Sequence, residues 1–507
     1  MMAALDTAVA VGVVGAGAMG GGIAQVAAAA GHPVVLFDAR EGAAEQAVTK
    51  LRGVFATLAA KGRMSAEAAE AAGSRLSAAA TLAALAPAGL VVEAVVEDLA
   101  VKQGLFRDLE ALVADGAILA TNTSSLSVTA IGAALARPGR LAGLHFFNPA
   151  PLMPLVEVVS GLGTDAAVAE TLFDTAKAWG KTPVHAASTP GFIVNRVARP
   201  YYAEAIRLLE EGAADSATID ALFREAGGFR MGPFELMDMI GHDVNFAVTR
   251  SVWSAFFHDP RFTPSLTQQE LVAAGFLGRK SGRGFYDYRE GAARPAARTA
   301  DGPAPARITL HGTCAMAASL AARLDAQGVA FARADADDGR VATVDGVAVF
   351  VTDGRTAAER AVALGTPAVA VVDTAFDPAT AGRLAFATAH SCPAGGGEAV
   401  AGLLAAAGIA PTPVADSPGL VVMRTVAMLA NEAADAVHRG VCAASSADTA
   451  MRLGTNYPRG PLAWADALGV ATVAEVLGNL AAFYGEDRYR LSPFLRLRAI
   501  TGRGCHD

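Results

Sequence analysis

The chain has 507 residues, 53% of them hydrophobic, and a net charge of −8 from 41 basic and 49 acidic side chains. That length exceeds one ordinary core and predicts roughly two to four domains. Mildly acidic, scattered charge excludes a general electrostatic footprint for nucleic acid, and no strongly apolar run of about 20 residues argues for a membrane span. The positive mean hydropathy reflects abundant helix-forming alanine. The start of the chain lacks a basic stretch before its apolar run and carries Asp6, so no signal peptide is expected. Cys314, Cys392, Cys442 and Cys505 lie far apart without metal-like spacing. They read as free thiols of a cytoplasmic protein, and no metal is expected.

Val9 to Asp38 opens the order. An apolar run, Val9 to Val14, ends in Gly15-Ala16-Gly17-Ala18-Met19-Gly20. A helix of small residues, Gly21 to Ala30, follows, then a second apolar run from Val34 to Phe37 that stops at Asp38. In a dinucleotide site, Gly15 would permit the turn, Gly17 would let backbone approach a pyrophosphate, and Gly20 would let helix pack on strand. The helix start would face the phosphates. A carboxylate at Asp38 suits ribose hydroxyls and repels a 2′-phosphate, which predicts NAD rather than NADP, although Arg40 follows closely. The alternative for GxGxxG alone is a plain tight turn.

Further along, helices are predicted at Ala43–Ala60, Ser65–Ala72 and Leu99–Ala114, the last with Leu105, Leu109 and Leu112 on one face. A short helix is expected at Ile131–Ala136. Strands are predicted at 90–95, 117–121, 141–147, 155–159 and 182–185. This alternation predicts an α/β, Rossmann-type doubly wound sheet over residues 1–188. Residues 189–290 read as all helical, 291–306 as a linker, and 307–415 as a small αβ domain without a phosphate fingerprint. Residues 416–507 repeat the helical domain: Pro190-Gly191, Arg196, Gly212, Asp220, Gly232-Pro233 and Asp238 recur 228 residues later. Such a duplication suggests that one chain holds what two held.

A dehydrogenase must add a base to the chemistry its nicotinamide supplies. His145, in Leu144-His145-Phe146-Phe147-Asn148-Pro149, ends an apolar strand, where ligands of open α/β sheets bind. Glu157 lies in Leu155-Val156-Glu157-Val158-Val159, where an unpaired carboxylate is costly. A histidine partner accounts for it. A strand-capping His and a Glu on a solvated face account for the residues equally well. Thr121-Asn122-Thr123-Ser124-Ser125 and Asn195 offer groups for a substrate oxygen, or serve as helix caps.

GAGAMG, the Glu97–Lys102 segment, NTSSL, HFFNP with LVEV, TPGFIVNR and GPFELMD together resemble the 3-hydroxyacyl-CoA dehydrogenase family over residues 9–288. The longer architecture is similar to the bacterial branch that oxidises 3-hydroxyadipyl-CoA in phenylacetate breakdown. The resemblance implies that His145 takes the 3-hydroxyl proton and Glu157 orients it, while Ser124 and Asn195 hold the reacting oxygen or the thioester carbonyl. It implies cofactor contacts at Gly15, Gly17, Ala18, Met19, Gly20, Asp38, Glu97, Lys102, Asn122, Asn148 and Lys280. It also implies a CoA contact at Lys61. The expected substrate is a CoA thioester, with no nucleic acid or membrane partner, and a homodimer or an internal pseudo-dimer through the duplicated helices. The repeat lacks HFFNP and GxGxxG and has Met423 in place of Asn195, so the second half is expected to be structural. A 3-hydroxybutyryl-CoA dehydrogenase, a non-catalytic nucleotide-binding scaffold and a second ligand site in the middle domain stand as alternatives.

Overall fold

A computed structural model describes residues 4–507. The chain forms two compact units. The first runs to Arg196 and takes in Arg439–Thr455 from far along the sequence; the second comprises Val197–His438 and Asn456–Asp507.

The first unit is built on eight strands: β1 (Val11–Val14), β2 (Val34–Phe37), β3 (Leu76–Ala79), β4 (Leu90–Glu93), β5 (Ile118–Thr121), β6 (Leu141–Phe146), β7 (Leu155–Ser160) and β8 (Thr182–Ala187). Their order is β3-β2-β1-β4-β5-β6-β7-β8, and only β6 and β7 are antiparallel. The order reverses between β1 and β4, the place where open α/β sheets bind ligands. β1, β4, β5 and β6 are buried along their whole length, which is why they read as continuous apolar runs.

Two expectations need correction. β3 is an added strand: Leu-Ser-Ala-Ala has no β-branched or aromatic signal. The short helix lies at Val128–Gly132, because the Ser127 hydroxyl caps it by accepting from Ala130 N at 3.1 Å. In the helix Leu99–Leu112 the three leucines share a side as expected, and the buried residues are Lys102, Phe106 and Leu109, with Leu105 and Leu112 half-buried. The Lys102 charge is paired inside with Glu93.

The second unit opens with helices Arg199–Glu210, Ser216–Glu225, Pro233–Ile240 and His242–Ala255. A sheet follows: β9 (Ile308–His311), β10 (Ala332–Ala334), β11 (Ala342–Val344), β12 (Val347–Val351), β13 (Val369–Val372), β14 (Arg383–Thr388) and β15 (Ala410–Pro413). It is ordered β10-β9-β11-β12-β13-β14-β15. From β12 to β15 the directions run parallel, antiparallel, parallel, as they do from β5 to β8. β14 lies 228 residues after β7, end for end, and the 228-residue spacing carries β6 onto β13 and β8 onto β15. The duplication therefore starts near Leu141, well before the Pro190 at which side-chain identity reveals it. Backbone agrees too: Gly191 and Phe192 have positive φ (74° and 47°), as do Gly419 and Leu420 (71° and 51°).

Within this unit the long helix Val422–His438 packs on Arg199–Glu210. Arg424 is fully buried there, its Nε 2.7 Å from Glu204 Oε2 and its Nη1 2.9 Å from Glu211. Among the described residues no single helix is long and apolar enough to cross a membrane; one bent pair, Pro461–Leu468 with Val470–Tyr484, passes by length and composition, with its apolar face in the core.

Candidate active site

The glycine turn has the geometry of a dinucleotide cradle. Gly15 has φ +104°, and a Cβ there would lie 2.5 Å from Ala94 O. A Cβ on Gly20 would lie 1.8 Å from Gly15 O, so helix and turn meet backbone to backbone. A Cβ on Gly17 would meet nothing within 4 Å, the open approach a pyrophosphate needs. The helix begins at Ala18, and Met19 sits in its first turn; no side chain caps it. Its first N–H groups and the positive end of its dipole suit phosphate. Asp38 Oδ2 accepts from Ala16 N at 2.7 Å, tying the end of β2 to the turn. Arg40 folds back on the same carboxylate, Nε to Oδ1 3.0 Å, and this contact holds the Asp38 carboxyl well below its usual range. Because Arg40 is 73% exposed, the pair adds little stability. These features fit NAD.

β6 and β7 place His145 and Glu157 directly opposite one another. Twelve residues of separation become a cross-strand pair, whose side chains meet by construction. His145 Nδ1 lies 2.7 Å from Glu157 Oε2, and both residues are buried. An ionised carboxylate only accepts, so Nδ1 carries the proton and Nε2 presents its lone pair. Phe147 and Phe192 flank the imidazole at 4.5 and 5.8 Å between ring centres. Glu157 uses its other oxygen as well: Oε1 accepts from Ile193 N at 3.1 Å and Val194 N at 3.0 Å. The reading of Glu157 as a solvated surface acid is overturned; its exposure is 0%.

Glu97 organises the loop after β5. Its Oε1 accepts from Thr123 Oγ1 (2.6 Å), Ser124 N (3.0 Å) and Ser125 N (3.1 Å). Burial works against its ionisation, but the Thr123 bond and the Lys102 charge outweigh it and hold the carboxyl below its ordinary range. Asn195 Nδ2 reaches Ser124 O at 3.4 Å, so these two are brought together. Asn122 Oδ1 accepts from Phe146 N at 2.8 Å, joining β5 to β6 beside His145.

Lys102 is fully buried, its Nζ 2.5 Å from Glu93 and 3.4 Å from Glu97. Sequence reasoning missed Glu93, although it has the mark that singled out Glu157: an acid in an apolar strand. Thr121 Oγ1 and Val95 N complete its shell at 2.7 Å each. Asn148 is exposed after β6, and Lys61 is exposed at the C-terminal cap of helix Ala43–Ala60. In the second unit, Lys280 is half-exposed and bonds Asp243 at 2.7 Å.

The second sheet lacks this chemistry. The residue 228 positions after His145 is Asp373 and the one after Glu157 is Ala385; Asp373 N donates to Ala385 O at 2.9 Å, so the two again face each other. Asp373 accepts from Val421 N (2.9 Å), Val422 N (2.7 Å) and Met423 N (3.0 Å). Val421 and Val422 are the repeats of Ile193 and Val194. The carboxylate that anchors the helical copy has moved to the opposite strand, and the imidazole is gone. Among the described residues the four cysteines form no disulfide, and no cluster of metal-ligating side chains occurs.

The model of the 3-hydroxyacyl-CoA dehydrogenase NAD binding domain matches residues 10–189. That of the 3-hydroxyacyl-CoA dehydrogenase C-terminal domain matches twice, at 191–288 and 419–503. A 3-hydroxybutyryl-CoA dehydrogenase reduced Rossmann-fold domain matches 349–418. The chain is 44% identical to a 3-hydroxyadipyl-CoA dehydrogenase of Escherichia coli K12, across 97% of this chain and 98% of that one. A crystal structure of a 3-hydroxybutyryl-CoA dehydrogenase from Escherichia coli K12 superposes with TM-score 0.89 at 44% identity, covering 98% and 99% of the two chains. The mitochondrial hydroxyacyl-coenzyme A dehydrogenase of Sus scrofa is 42% identical over 283 residues, 55% of this chain and 90% of its own. The chain belongs to the 3-hydroxyacyl-CoA dehydrogenase family, and it is an NAD-dependent oxidoreductase of that family.

Proposed function

We propose that the chain oxidises a (3S)-3-hydroxyacyl-CoA to the 3-ketoacyl-CoA with His145 as base, and that 3-hydroxyadipyl-CoA is the preferred thioester. The observation that carries the mechanism is the 2.7 Å bond between His145 Nδ1 and Glu157. It fixes the tautomer, so Nε2 accepts the proton of the 3-hydroxyl as the C3–H bond breaks. NAD, when bound, takes the hydride. Glu157 stabilises the imidazolium that results, and Ser124 with Asn195 orients the substrate oxygen. Lys61, exposed at its helix end, suits a CoA phosphate.

The adipyl preference is supported by likeness to the 3-hydroxyadipyl-CoA dehydrogenase over nearly the whole of both chains. The solved relative of the same extent bears the name of the four-carbon substrate, which favours the second reading, 3-hydroxybutyryl-CoA. Steady-state oxidation of 3-hydroxyadipyl-, 3-hydroxyhexanoyl- and 3-hydroxybutyryl-CoA with NAD and NADP decides between them. The expected result is the highest kcat/KM for the adipyl thioester with NAD; a higher value for the butyryl thioester replaces the first reading with the second. His145→Gln should lower kcat by about 10²–10⁴-fold with NAD affinity retained. Unchanged NADH formation would remove the base assignment.

A further inference from the structure

The helical copies exchange places. In the first unit Ala187 N, at the end of β8, donates to Val441 O at 2.8 Å; in the second, Ala415 N donates to Ala213 O at 2.9 Å. The two bonds join residues related by the 228-residue repeat, as the two halves of a self-complementary interface do. Each sheet is thus completed by the helical copy from the other half. For the catalytic sheet the completing piece is Arg439–Thr455, whose helix Ala444–Thr455 packs on β7 and β8.

Two residues of that piece bracket Glu157. A Cβ on Gly454 would lie 2.8 Å from Leu155 Cδ2 and 3.0 Å from Val194 Cγ2. Leu155 is two residues before Glu157 on the same face of β7, and Val194 N is a hydrogen-bond donor to Glu157 Oε1. At the other end of the piece, burial first and then the Glu157 charge push the Cys442 thiol up to about 12, with Arg196 and Asp448 as the other charges beside it.

We infer that Arg439–Thr455 is a positioning element for the reaction, with Gly454 setting the strand and backbone that aim Glu157 at His145. The second half of the chain, silent in chemistry, then has a part in catalysis. This inference rests on His145 acting as the base. A methyl at position 454 moves the Leu155 Cδ2 tip, and a valine there must push on Leu155 and Val194 together; a shift of about 1 Å in a catalytic pair costs up to about 10²-fold in rate.

The test compares Gly454→Ala and Gly454→Val in the full chain. Readouts are kcat, KM, NAD dissociation constant, thermal midpoint and the pH profile of kcat/KM. Gly454→Val should lower kcat about tenfold or more with the NAD constant unchanged, and Gly454→Ala should fall between it and the parent. Parent kcat and pH profile in Gly454→Val would overturn the inference, as would parallel losses of NAD binding and kcat. If Gly454→Val does not fold, Gly454→Ala decides, and parent kcat in Gly454→Ala counts against the inference. Activity retained in His145→Gln would instead strike the base assignment beneath it.

Discussion

Glu157 does two things at once, and its two oxygens separate them. Oε2 holds the imidazole and Oε1 holds two backbone amides. Glu157→Gln keeps the shape but loses the charge opposite imidazolium and offers donors to amides that need acceptors. It should lower kcat more than KM, by about 10²-fold or more, and lower the thermal midpoint, measured by steady-state kinetics and calorimetry. Asp38 poses a different question. Asp38→Ser removes the carboxylate that would repel a 2′-phosphate and releases Arg40, so the NAD/NADP ratio of kcat/KM should fall. A ratio as high as the parent's would show that Asp38 does not set the choice. Much of this was legible in the sequence because Asp38 and His145 sit at strand ends and Glu157 is an acid inside an apolar strand. Glu93 and Lys102 were harder to read: a lysine on a helix looks solvent-facing until the acid of a neighbouring strand is placed against it. The second oxygen of Glu157 was invisible for the same reason, since its partners lie 36 residues on.

The antiparallel β6–β7 pair is the element that turns sequence distance into contact, and one register step would undo it by facing Glu157 away. The Gly20 contact is as strict. Gly20→Ala forces a methyl onto the Gly15 carbonyl and should abolish NAD binding, read by fluorescence titration, while the second unit keeps its fold. Among helices, Val422–His438 carries the buried Arg424, whose charge is met by Glu204 and Glu211. Arg424→Met strands a buried carboxylate and should cost about 3–5 kcal/mol in denaturant unfolding. Strand positions were read well wherever both faces are buried. The extension of the repeat back to β6 was not, because sheet architecture survives substitutions that erase residue identity. The reciprocal packing was unreadable too: nothing local in Arg439–Thr455 says which sheet it covers.

At the scale of the molecule, buried acids outside the His145–Glu157 pair set a pH dependence. Burial raises Asp220 to about 7 against four weaker opposing or reinforcing influences, and raises Asp373 to about 6 despite its backbone amides. In both, the folded state holds its proton to higher pH than the unfolded chain, whose aspartates titrate near pH 4. Their contribution to stability is therefore full below about pH 4 and is lost as pH rises through 6 and 7. Chemical denaturation from pH 5 to 8 should show stability falling over this window relative to Asp220→Asn, whose curve should be flatter. Parallel curves would exclude Asp220 as the source. The duplicated layout has a further consequence. Where the helical surfaces belong to separate chains, their pairing is a concentration-dependent equilibrium. Here Glu204 and Arg424 are tethered along one polypeptide, so thinning the solution cannot part them. Specific activity should stay level down to nanomolar enzyme, with one NADH released per 507-residue chain in a single turnover.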